Sequence, residues 1–308
     1  MGDSVAPLPL TDTAPRPAPR GGRWAPLWHL LLFFLVLIVV RVGVDALSRA
    51  LVVMIPTGSP LQASFAQGLT LAALFPGVLA MDVSYRALVH RFEARRPLEV
   101  EGPRIGRELG AGLGVGALLM SGLVAILALT GCYRVTGFEP WAPWLGLCVA
   151  IISGYGEELL ARGVLQRLLG QLFGDGAGWV ISSLVFGLAH AANPQATPLS
   201  VASIVCAGLL LGAAYLYTGR LWLAIGIHTA WNFTQGGIFG IPVSGHQEGG
   251  LLSGRLSCAT VWSGGPFGVE GSVLCLVVCL AGAAVLVTAA QRRGHLRRSA
   301  LKAASGAP

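Results

Sequence analysis

Residues 141–170 read WAPWLGLCVAIISGYGEELLARGVLQRLLG, an apolar and small-residue run interrupted near its middle by Glu157, Glu158 and Arg162. A bilayer core of about 30 Å takes roughly 20 apolar residues per helix, and residues 142–169 meet that length. Comparable runs recur at 24–46, 60–83, 109–131, 176–192, 198–217, 220–241 and 271–290. The expected fold is therefore all-α, a polytopic membrane helix bundle of about eight transmembrane helices over residues 24–291. Composition agrees: of 308 residues 54% are apolar and 11% charged, with mean hydropathy +0.69, against roughly 25% charged in soluble domains. Little is left for a soluble domain.

The ends of the chain differ from its middle. Residues 1–23 are rich in Pro, Ala and Arg without apolar periodicity, which predicts a disordered tail. The run that follows is too long for a cleaved signal peptide and lacks a small-residue cleavage site, so it reads as a retained helix. Residues 292–308 form a basic tail. Sixteen Lys and Arg residues fall in segments on the side of the N-terminus and three, Arg49, Arg134 and Arg255, on the other. Positive charge collects on the cytoplasmic side, which puts both termini in the cytoplasm of a multi-pass cell (inner or plasma) membrane protein. The net charge of +7 is explained by this topology, since the basic residues form no nucleic-acid-binding face or motif. Lys302 is the sole lysine while Arg, Ala and Gly abound, a composition that hints at a bacterial source.

Gly112 and Gly116, and Gly208 and Gly212, have the GxxxG spacing that lets helices approach closely. Cys148, Cys206, Cys275 and Cys279 fall within spans and read as small packing residues. Cys132 and Cys258 fall in two outer loops, where an oxidising exterior permits a disulfide clamping the third and fourth spans to the seventh and eighth; sequence leaves their separation open.

Ionisable side chains inside a bilayer are costly and mark function by default. Here they concentrate in three spans. Glu158 and Arg162 are i,i+4 with the acid first, the favourable order for an ion pair, whereas Glu157 points about 100° away and lacks that partner. Phe186 and His190 share a helix face, as do His228 and Asn232. At about 1.5 Å per residue, Glu157 lies on the order of 15 Å from Arg167, His228 about 12 Å and Asn232 about 18 Å from Arg220, and His190 about 22 Å from Asp175. Glu157, His190, His228 and Asn232 can thus meet near mid-membrane.

At these residues the sequence resembles the CPBP family of intramembrane peptidases, which includes the CAAX-processing endopeptidases and relatives linked to bacteriocin immunity. The family's EExxxR stands as Glu157, Glu158 and Arg162, followed by Gly163; FxxxH as Phe186 and His190; HxxxN as His228 and Asn232. The resemblance covers about residues 142–241, the expected catalytic core, and implies a glutamate-dependent endopeptidase without metal, acting on a membrane-embedded or lipid-modified protein.

The residues themselves are compatible with that chemistry. Peptide hydrolysis needs an activated nucleophile, oxyanion stabilisation and a proton for the departing amine. Glu157 would activate a water also held by His190; His228 and Asn232 would donate to the oxyanion; Glu158, Arg162 and Phe186 would support them. No cofactor is expected. Zinc is the alternative, since His190, His228 and Glu157 or Glu158 also make a His2Glu set; the lack of HExxH and the Glu158–Arg162 pairing weigh against it. Two other classes stay open. A transporter or proton relay would carry polar groups at several depths, whereas these gather in one layer. A non-catalytic scaffold or immunity protein would keep the motifs for structure alone.

Overall fold

In hydrocarbon a backbone must satisfy its own hydrogen bonds, so apolar runs of this length become helices. The computed structural model describes residues 24–53, 62–140, 143–247 and 249–296; the expected tail over 1–23, and 297–308 of the basic tail, lie outside them. The helices are α1 (Ala25–Val53), α2 (Gln62–Leu88), α3 (Ile105–Leu129), α4 (Pro143–Glu158), α5 (Arg167–Phe173), α6 (Asp175–Ala189), α7 (Pro198–Thr218), α8 (Trp222–Asn232), the single turn α9 (Thr260–Ser263) and α10 (Val273–Arg292). A π-helical stretch, Leu159–Gln166, joins α4 to α5 without a break, and others extend α2 over Val89–Glu93 and α8 over Phe233–Ile238. Local sequence sets several ends: Thr197 and Ser200 form a capping box with Pro198 in the first turn of α7, and Gly219 closes it at φ +69°.

All eight expected spans correspond to helical rods, but they are not equal. Among the described residues five are long and apolar enough to cross a membrane: Ala25–Gly43, Ile105–Leu129, Pro143–Phe173, Pro198–Thr218 and Val273–Arg292. Helix α6 has 15 residues, about 22 Å, and α8 has 11 before its π extension. For α8 the physical reason is burial. Leu223 to Trp231 of α8 are enclosed by neighbouring helices, so protein, not lipid thickness, sets its length. By contrast Leu35, Leu118, Val285 and, on α6 itself, Leu188 point outward, as a lipid-facing surface requires.

The Gly112/Gly116 spacing has a definite partner. A Cβ on Gly112 would stand 2.4 Å from the Leu223 carbonyl oxygen, and one on Gly116 2.3 Å from that of Ile227. Helices α3 and α8 therefore touch backbone to backbone, next to His228. Gly208 and Gly212 serve α7 in the same way, against Ser183 and Trp179 of α6.

One departure from the all-α expectation lies at the end of the bundle that holds the C-terminus of α3. Strands β1 (Tyr133–Phe138) and β2 (Leu252–Leu256) pair antiparallel, Tyr133 opposite Leu256, with an irregularity between Val135 and Gly137. Beside them Cys132 and Cys258 are disulfide-bonded, with Cα atoms 5.0 Å apart. The two loops that carry these cysteines are thus one built cap. Strands this short carry too little alternation to be read from sequence.

The opposite end is held by charge. Arg167 donates to both Glu93 oxygens (2.8 Å each) and to the Gly163 carbonyl (2.7 Å). Arg95 forks onto Glu99 (2.8 and 2.7 Å), which also accepts from the Tyr85 hydroxyl. Arg220 pairs with Glu108 at the start of α3.

Two outcomes follow from this packing. Gly116→Val forces α3 from α8 and lowers stability by about 1–3 kcal/mol, while Gly122→Val, where no atom lies within 4 Å of the added Cβ, changes little; thermal unfolding in detergent checks both. For Glu99, burial pushes the carboxyl up, but the Arg95 hydrogen bonds and the charges of Arg167 and Arg95 outweigh it and bring it from 4.5 down to about 2. A carboxyl depressed by folding gives its full stabilisation above its unfolded value and loses it as pH falls through the folded one. Stability should decline from about pH 4.5 toward pH 2, and less steeply in Glu99→Gln, as acid melting curves would register.

Candidate active site

Between α1, α4, α6, α7, α8 and α10 lies a cavity of about 470 Å³ whose wall includes Glu157, His190, His228 and Asn232. Close helix contact brings them together: a Cβ on Gly154 would stand 2.2 Å from Thr229 Oγ1, so α4 and α8 meet one turn before Glu157 and Glu158 and one residue after His228.

The pairing expected along the fourth span is present even though the helix there is π rather than α. Arg162 Nη1 donates to Glu158 Oε1 at 2.8 Å and its Nη2 donates to the Gly208 carbonyl of α7 at 2.9 Å. The guanidinium carbon lies 4.5 Å from the centre of the Phe186 ring, a cation–π contact that explains the aromatic of FxxxH. Both charged side chains are sealed off, at 1% and 0% exposure.

Glu158 Oε1 also lies 2.9 Å from His228 Nδ1. An ionised carboxylate only accepts, so Nδ1 carries the proton. His190 Nδ1 lies 2.8 Å from the Phe186 carbonyl oxygen, again an acceptor, which gives the same tautomer. In its neutral form each imidazole therefore turns a bare Nε2 to the cavity, and each Nε2 is 3.9 Å from the same atom, Glu157 Oε2. That oxygen is buried and has no hydrogen-bond partner among the described residues. Asn232 Nδ2 donates to Ser153 Oγ at 3.0 Å, leaving its second amide hydrogen. The geometry refines the sequence expectation for His228: with Nδ1–H committed to Glu158, it donates from Nε2 only as imidazolium.

Sequence reasoning missed part of the wall. Ser153, Ser244, His246 and Glu270 line the cavity, as do Phe34 and Ile38 of α1. Glu270 sits in a 3-10 turn, Val269–Gly271, and Ser244 in the turn closed by the Val243–His246 bridge. Neither lies within the expected core over 142–241. The available signal was a lone acid, Glu270, at the edge of the last apolar run.

Residues 139–234 match the family model for Rce1-like, type II CAAX prenyl endopeptidase. The match takes in Glu157, Glu158, Arg162, Phe186, His190, His228 and Asn232, agrees with the CPBP resemblance and supports an intramembrane endopeptidase of the CAAX-protease kind. It ends before Ser244 and Glu270. No curated protein and no solved structure matches the chain.

Removing one member of a buried ion pair strands the other. Arg162→Met should lower stability by about 3–5 kcal/mol, whereas Glu157→Gln, at a side chain 38% exposed to the cavity, should stay within about 0.5 kcal/mol of the parent. Denaturant or thermal unfolding of the purified variants separates the two.

Proposed function

We propose that this protein is a glutamate-dependent, metal-independent intramembrane endopeptidase in which Glu157 activates the hydrolytic water. The observation that carries the reading is the convergence of His190 Nε2 and His228 Nε2, each 3.9 Å away, on a buried Glu157 Oε2 that has no hydrogen-bond partner among the described residues. Such gaps exceed a direct hydrogen bond and suit an oxygen held between their ends.

In the proposed cycle a water donates one proton to Glu157 Oε2 and is oriented by the His190 lone pair. Its oxygen attacks the carbonyl carbon of the scissile bond. The oxyanion accepts from the Nε2–H of His228, present as imidazolium beside the Glu158 carboxylate, and from the Asn232 amide. Glu157, now protonated, passes its proton to the amide nitrogen, the C–N bond breaks, and an amine and a carboxylate leave. Glu158, Arg162 and Phe186 touch no reacting atom; they fix the ring and charge of His228.

The substrate on this reading is a membrane-embedded or lipid-modified protein, and the CAAX prenyl endopeptidase name of the matching family points to a prenylated C-terminus. The disulfide-bonded cap is the outer end of the bundle and the Arg167–Glu93 end the inner one, with both termini cytoplasmic. A zinc site on His190, His228 and Glu157 is the second reading, favoured by two lone-pair nitrogens facing one carboxylate oxygen.

Cleavage of prenylated and unmodified membrane peptides by the detergent-solubilised protein tests all of this. Glu157→Gln should cut kcat/KM by about 10³-fold and His228→Ala by about 10²-fold, with wild-type activity resisting a strong chelator. Activity lost to the chelator and restored by zinc selects the second reading. A client processed equally by Glu157→Gln sinks both and leaves the scaffold or transporter.

A further inference from the structure

Of the three Lys and Arg residues that the apolar runs leave on the side of the cap, Arg49, Arg134 and Arg255, two stand side by side. The register of the cap sets Arg134 of β1 directly opposite Arg255 of β2. Residues paired in this way point to the same face of an antiparallel ladder with Cβ atoms about 5 Å apart, where like charges repel. The next pair along, Tyr133 with Leu256, identifies that face. Tyr133 is buried and its hydroxyl donates to the Phe239 carbonyl at 2.9 Å, so alternation turns both arginines away from the bundle. Both are exposed.

Nothing among the described residues relieves the repulsion. Neither guanidinium has an ion-pair or hydrogen-bond partner there. An acid of the cap, Glu139, lies past the far end of β1, where Ser253 Oγ meets it at 3.5 Å. Neighbouring hydroxyls are committed as well: Thr136 donates to the Ser253 carbonyl, and Ser257 to those of Gly131 and Cys132. Nor can the strands part to separate the charges, because the bonded Cys132 stands two residues before Arg134 and Cys258 three after Arg255. Two cations held together without a counter-ion need an anion from outside the chain.

The surroundings indicate which anion. Leu129 at the end of α3, Phe138 of β1, Trp144 in the first turn of α4 and Trp262 of α9 are all more than half exposed at the same end. Large aromatic side chains that face outward around a polar cap form an interfacial belt, at the depth of phospholipid headgroups. Guanidinium groups match phosphate oxygens in forked, charge-assisted pairs. We propose that Arg134 and Arg255 form a binding site for the phosphate of an anionic phospholipid in the leaflet that meets the cap. Two adjacent cations favour a headgroup of net negative charge over a zwitterion, whose ammonium offsets its phosphate. Neither arginine lines the cavity, so the site stands apart from the endopeptidase reading.

The experiment titrates intact, delipidated protein in detergent with phosphatidylglycerol, phosphatidylcholine and inorganic phosphate, following bound lipid by native mass spectrometry together with thermal unfolding. It compares wild type, Arg134→Gln/Arg255→Gln and, as a charge-matched control at exposed residues of the opposite end, Arg91→Gln/Arg107→Gln. Wild type and the control should retain phosphatidylglycerol about tenfold more tightly than Arg134→Gln/Arg255→Gln. Without lipid, Arg134→Gln/Arg255→Gln should unfold no lower than wild type, since it loses a repulsion; phosphatidylglycerol should then raise the unfolding temperature of wild type above that of the variant. Equal retention by wild type and Arg134→Gln/Arg255→Gln overturns the proposal. So does an equal loss in the control, which would assign the lipid to bulk charge, or equal retention of phosphatidylcholine. Displacement of the lipid by inorganic phosphate at equal concentration gives the site to a free anion and overturns it too. An Arg134→Gln/Arg255→Gln protein that unfolds below wild type without lipid gives the arginines to the structure of the cap and does the same.

Discussion

Inside an apolar bundle a single buried ion pair can dictate the arrangement of its neighbours, and here that pair is Glu158 with Arg162. Neither charge can reach solvent, so protein groups have to compensate each, even though Glu158 Oε2 and Arg162 Nε find no hydrogen-bond partner among the described residues. Arg162 spends one nitrogen on Glu158 and another on the Gly208 carbonyl, and lays its face on Phe186. Those contacts join α4, α6 and α7. Glu158 uses the same oxygen on His228 Nδ1 and so recruits α8. The ion pair costs desolvation and adds little net stability, but it specifies which helix faces meet. Three motifs far apart in sequence are in this sense one interaction.

Orientation of the imidazoles follows from it. His228 has its tautomer set by Glu158 and His190 by the Phe186 carbonyl, so both Nε2 atoms face Glu157. A neighbouring carboxylate of the same dipeptide is kept apart from the pair and exposed to the cavity because consecutive helical residues diverge by about 100°. Two glutamates in a row therefore acquire opposite environments. One is held through Oε1 by Arg162 and His228 and is sealed from the cavity, and the other turns toward the cavity between two imidazoles.

Much of this was legible before any coordinates. The apolar runs anticipated the long helices, since the hydrocarbon leaves a chain few alternatives, and the i,i+4 spacings of Glu158 with Arg162 and of Phe186 with His190 pointed to residues that the structure brings to one cavity. What sequence could not deliver has identifiable causes. The short length of α8 depends on its burial, which hydropathy does not distinguish from contact with lipid. The π-helical stretch after Glu158 leaves the residue types unchanged. The GxxxG spacing announced close packing, but only the structure pairs Gly116 with Ile227. The disulfide needed a separation that spacing cannot supply.

The same limits explain why the wall beyond residue 241 escaped. Ser244, His246 and Glu270 reach the cavity through turns whose positions depend on Gly240, Gly245 and Gly268, each with positive φ and each pressed against a carbonyl oxygen. Such a chain has no period to read. It is held instead by tertiary ties, the β1–β2 pairing, the Cys132–Cys258 bond and the Ser244–Glu270 contacts. The cavity is consequently built by two kinds of information. Helix periodicity places Glu157, His190, His228 and Asn232, and these are the residues that the family match contains. Turns tied to a cross-linked cap place Ser244, His246 and Glu270 outside that match, where side chains can change without disturbing the Glu158–Arg162 pair.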